Sequence, residues 1–95
     1  MKFLLSLSII VLTTGCATTA KYNEAINSWI GSNEIDLVKS WSPPEETYET
    51  QGSKFLIYSW SQYFDGMTFY CKTIFEVRQG FITSAKATGN SCKER

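Results

Sequence analysis

The chain has 95 residues, with nine basic and nine acidic side chains, three cysteines and no histidine. Zero net charge, with Lys and Arg scattered singly, leaves no basic patch for nucleic acid or for anionic headgroups. Without histidine no Ser-His or Cys-His pair can activate a nucleophile. Two spare cysteines fall short of the four ligands of structural zinc, and no glycine-rich phosphate loop is present. Neither catalysis, a metal nor an organic cofactor is expected.

The chain opens with Lys2, then an apolar run from Phe3 to Leu12 broken only by Ser6 and Ser8, then Thr13-Thr14-Gly15-Cys16. A positive start, a short apolar stretch and a small residue before the cut are the three parts of a secretory signal. The run is too short to span a bilayer, which takes roughly 20 apolar residues. Its end resembles the lipobox of bacterial lipoproteins, usually Leu-Ala-Gly-Cys or Leu-Ser-Gly-Cys. Gly15 and Cys16 match and Thr14 is a small residue of the tolerated kind, while Thr13 stands where leucine is usual. The resemblance implies that residues 1–15 are removed as a signal peptide. It also implies that Cys16 carries acyl chains such as palmitate and that residues 16–20 form a lipidated tether. Two chains, at about 0.8 kcal/mol per buried methylene, anchor stably. An ordinary signal with Cys16 incidental is the alternative. Ala17 replaces the Asp that retains lipoproteins in the inner membrane, which implies the outer membrane and a periplasm-facing domain.

A domain this small buries only about 60% of its unfolded surface and often needs a staple. In an oxidising compartment Cys71 and Cys92 are expected to be that staple, stabilising the fold by about 3 kcal/mol. A free reactive thiol is the alternative, although neither cysteine sits in a Cys-x-x-Cys pair.

Tyr22, Ala25, Ile26, Trp29 and Ile30 recur at helical spacing and predict a first helix, stopped by Gly31. Asn33 with Asp36 predicts the start of a second helix, bearing Ile35, Leu37, Val38 and Trp41 and ended by Ser42-Pro43-Pro44. Trp29, in mid-stripe, is the expected core anchor, and Trp41 beside the prolines is expected to be only half covered. The prolines read as a helix stop rather than a docking motif. Glu45, Glu46 and Glu49 read as a solvated loop rather than a catalytic pair, because nothing apolar surrounds them.

From there the period changes to two. Lys54 to Ser61 reads as a strand, Phe64-Asp65-Gly66 as a turn, Met67 to Val77 as the longest strand, and Arg78-Gln79-Gly80 as a second turn. Phe69, Cys71, Thr73, Phe75 and Val77 form the predicted core face of the long strand. Phe81 to Thr88 is the third strand, and Gly89-Asn90-Ser91 brings Cys92 back to Cys71. The expected fold over residues 21–95 is a single α+β domain. Two N-terminal helices pack on a three-stranded antiparallel meander, in the order α-α-β-β-β, stapled by one disulfide.

Gly31, Asn33, Leu37, Trp41 and Pro44 share the register of a motif: glycine, helix cap, amphipathic helix, then Gly-x-Pro and a strand. In this respect the chain resembles the SmpA/OmlA (BamE-like) family of outer-membrane lipoproteins, and also small lipoproteins ending in Gly-Asn-Ser-Cys. Ser42 stands where the family has its second glycine, and Asn33 replaces a threonine cap. The resemblance implies a membrane held through the acyl chains on Cys16 and an envelope protein as partner, with no nucleic acid. The expected role is a non-catalytic protein-binding or scaffold subunit, and the alternative is a small periplasmic inhibitor of a hydrolase or toxin. Trp60, Tyr63 and Phe64 are the candidate protein-binding residues, since exposed aromatics mark interfaces, and local packing within the hairpin is the alternative.

Overall fold

The computed structural model describes residues 14–93, so that most of the expected signal peptide, residues 1–13, lies outside them. The described residues form α1 (Thr14–Asn27), α2 (Glu34–Trp41), β1 (Glu46–Thr50), β2 (Ser53–Phe64), β3 (Met67–Arg78) and β4 (Phe81–Gly89). Helix α1 runs through residues 16–20, the expected tether, and ends one turn short of Gly31, whose φ of 94° closes the connection to α2. The Asn33 side chain accepts from Ile35 N at 2.8 Å, capping α2 as its sequence position requires.

The sheet is antiparallel in the order β1-β2-β3-β4, which corrects the expected three-stranded meander to four strands. The additional strand is the segment Glu-Thr-Tyr-Glu-Thr, which holds Glu46 and Glu49 and was expected to be loop. It pairs with β2 from Glu46↔Ile57 to Thr50↔Ser53. Every residue of β1 is exposed, so this edge strand carries no alternation of apolar and polar residues to betray it. Its turn does carry a signal. Gln51-Gly52, Asp65-Gly66 and Gln79-Gly80 each join two strands with positive φ at both residues, the requirement of a type I′ hairpin turn.

Among the described residues one face of the sheet is covered by the helices and the other is open. Leu56, Tyr58, Cys71, Phe75, Val77 and Ile82 from the covered face meet Tyr22, Ile26, Leu37 and Trp41 in one buried core. Trp41 belongs to this core, edge-on to Tyr58 and Phe75 with ring centroids 5.1 and 5.2 Å away. Trp29 only packs against the periphery, which reverses the expected ranking of the two tryptophans. The reason is local: α1 ends at Asn27, and Trp29 falls in the turn beyond it. Tyr58 also donates its hydroxyl to Ser42 O at 2.8 Å, pinning the exit of α2. Ser42 adopts φ 77° and ψ 169°, a conformation otherwise held by glycine.

On the open face Tyr48 stacks obliquely on Phe55 at 6.3 Å, beside half-buried Ile57 and Ile74. Close by, Glu76 accepts from the buried Ser53 hydroxyl at 2.6 Å and from Arg78 Nε at 3.2 Å. The serine bond and the arginine together hold the Glu76 carboxyl below the usual carboxylate range.

Candidate functional site on the projecting hairpin

The pairing of β1 with β2 ends at Ile57, and that of β4 with β3 ends at Cys71. Strands β2 and β3 stay paired to Phe64↔Met67, so residues 59–70 leave the sheet as a two-stranded hairpin closed by Asp65-Gly66. Alternation continues into it. Trp60, Phe64, Met67 and Phe69 prolong the covered face past the helices, and Tyr63 and Tyr70 prolong the open face. Tyr63 is 73% exposed, Phe64 66%, Met67 55% and Trp60 44%. Asp65 is the only charged residue from 59 to 70.

The three candidate binding residues are therefore all exposed but do not share a face. Trp60 and Phe64 lie together, lining a shallow cleft of about 270 Å³ with Phe69 and Lys93, while Tyr63 is on the reverse side. Met67 and Tyr70 belong to the same projection and were missed. Met67 sits directly opposite Phe64 across the hairpin. Extending the two-residue alternation through the turn finds both.

Polar side chains take over backbone pairing where the flanking strands stop. Glu45 donates its N–H to Ile57 O at 3.0 Å and accepts from Ser59 N at 3.0 Å, so its carboxylate closes the β2 edge. On the other edge Asn90 Oδ1 accepts from Tyr70 N, and Asn90 Nδ2 donates to Thr68 O, both at 2.9 Å. Ser91 N adds a bond to Tyr70 O at 3.0 Å. Gly89 passes so close that a Cβ there would collide with the Tyr70 carbonyl and with Cys71 Cα. Cys92 then bonds to the buried Cys71, with Cα atoms 5.0 Å apart. Gly89-Asn90-Ser91-Cys92 is thus a clasp on the hairpin base, and each of its residues has a separate task.

The carboxylates that cluster in sequence do not converge. Glu45 is committed to the Ser59 amide, and Glu46 and Glu49 point to opposite faces of β1. Among the described residues no three His, Cys, Asp or Glu side chains are placed to share a metal ion. The chain matches no protein-family profile, no curated protein and no solved structure.

Proposed function

We propose that this chain is a lipid-anchored, non-catalytic lipoprotein of the cell envelope, held in the outer membrane through Cys16 and facing the periplasm as a scaffold subunit. The observation that carries this reading is the hairpin: a stapled base holding Trp60, Tyr63, Phe64 and Met67 in solvent, where their apolar area is available for docking. The lipobox-like Thr14-Gly15-Cys16 supports the anchor. The resemblance to the SmpA/OmlA family gains support from Ser42, whose backbone takes a glycine conformation where that motif has a glycine. A scaffold needs two attachment surfaces. The open sheet face around Tyr48 and Phe55 offers a second one, suited to an envelope protein.

Acyl labelling and fractionation of Cys16→Ser test the reading. The variant should lose the label and move to the soluble periplasmic fraction, and unchanged membrane fractionation would sink the anchor. The second reading, an inhibitor of a periplasmic hydrolase or toxin, is favoured by the same projection, which has the form of a plug. An inhibitor would block a soluble enzyme stoichiometrically without its anchor, whereas a scaffold would lose its role along with the lipid.

A further inference from the structure

We propose that the projecting hairpin is a second membrane attachment, lying in the headgroup–acyl boundary of the bilayer that holds the lipid on Cys16. This rests on the lipoprotein reading of Cys16 and deepens it by naming what the hairpin aromatics meet. Two hydrogen bonds set the direction of α1 along the sheet. Past its C-terminal end, Gly31 N donates to Ile82 O, level with Val77 at the basal end of β3. Nearer its start, the Tyr22 hydroxyl lies 2.6 Å from Thr73 Oγ1, further along β3 toward the hairpin. Helix α1 therefore runs, toward its own N-terminus, in the direction in which the hairpin projects.

The two elements do not reach equally far. Cys16 lies six residues before Tyr22, about 9 Å along a helix rising 1.5 Å per residue. Met67 lies six residues before Thr73, about 20 Å along a strand rising about 3.4 Å per residue. The hairpin tip thus extends about 10 Å beyond the level of Cys16. A bilayer that takes up acyl chains at Cys16 also meets the hairpin.

The chemistry fits that surface. Trp and Tyr concentrate at membrane–water interfaces, where an amphipathic ring has one apolar and one wet side. Trp60, Tyr63 and Tyr70 supply such rings, and exposed Phe64 and Met67 supply apolar side chains on either side of the Asp65-Gly66 turn. Lys93 lines the cleft beside Trp60 and Phe64, where its stem can lie along the rings and its ammonium can reach a lipid phosphate. The hairpin aromatics serve the bilayer, which leaves the open sheet face for a protein.

The test uses the full-length protein purified from membranes and placed in vesicles of phosphatidylethanolamine and phosphatidylglycerol. A photoreactive benzoylphenylalanine replaces Phe64 in one preparation and Tyr48 in another, and adducts and Cys16 acylation are read by mass on the same samples. The expected result is an acylated protein with phospholipid adducts at position 64, severalfold above those at position 48. Acylated protein without lipid adducts at 64, with adducts only to another protein, or with equal lipid labelling at both positions overturns the proposal and leaves the lipoprotein reading intact. Protein without acyl chains on Cys16 overturns both, because nothing then brings a bilayer to this end of the domain.

Discussion

The lower and upper halves of the β2–β3 hairpin have the same pairing, the same alternation and the same kinds of residue, yet opposite surroundings. Below Cys71, both Tyr58 and Phe75 are buried against Trp41 of α2, and Val77 is buried in the same core. Above it, Trp60, Phe64, Met67 and Phe69 continue the same face and are exposed or only half-buried. Strand pattern alone cannot separate a core residue from a docking residue, since both occupy the same alternate positions. What separates them is the cover: the buried residues pack against Tyr22, Ile26, Leu37 and Trp41 of the helices, whereas Trp60, Phe64 and Met67 stay exposed.

Truncation gives the sharpest contrast. Phe75→Ala removes a fully buried ring and should cost about 3–5 kcal/mol, whereas Phe64→Ala should stay within about 0.5 kcal/mol of wild type in chemical denaturation. Equal losses at the two positions would erase the distinction between the halves. Next comes the joint between them. Cys92→Ala should lose about 2–5 kcal/mol by denaturant titration, and an unchanged midpoint would mean that the clasp does not need its covalent bond.

Asn90→Ala keeps the disulfide and removes two bonds to the β3 edge, each contributing about 1 kcal/mol. Amide hydrogen exchange should quicken at Tyr70 more than at Phe75; uniform quickening would show that the hairpin and the core open as one unit. Ser42→Gly should go the other way, raising stability by about 1 kcal/mol through relief of the positive φ under Trp41, and a lower melting temperature would contradict it.

The smallest effect concerns the open face. The Glu76 carboxyl is held below its ordinary range by Ser53 and Arg78, so its contribution is present above the unfolded carboxyl value and is lost as pH falls through the native one. Glu76→Gln should therefore melt below wild type near neutrality, and the gap should close as acidification passes through and below the ordinary carboxylate range. A gap independent of pH would assign the effect to packing.

Much of this fold is legible in the sequence because burial is periodic there. The core face of β3, the Asn33 cap and the Cys71–Cys92 bond all follow from spacing and residue type. β1 is not legible in that way, since a wholly exposed edge strand buries nothing and leaves no pattern. Only its turn speaks, and Gln51-Gly52 is the same dipeptide as Gln79-Gly80, which reads as a turn. At the candidate site, residue type revealed Trp60, Tyr63 and Phe64. Their division between two faces needed the register that pairs Phe64 with Met67.

The clasp also sets an order of events in time. Cys71 and Asn90 belong to segments made in succession, and the chain leaves the ribosome, or a translocation channel, from its first residue onward. β2 and β3 can pair as soon as Met67 to Arg78 have emerged, but Thr68 and Tyr70 keep unsatisfied edge groups until residues 90 and 91 arrive. The Cys71 sulfur likewise stays single until Cys92 follows it out, 21 residues later. Between those moments the nascent domain presents an aromatic hairpin with an open edge and a free thiol at its root, which is the interval in which a chaperone or a wrong thiol could capture it.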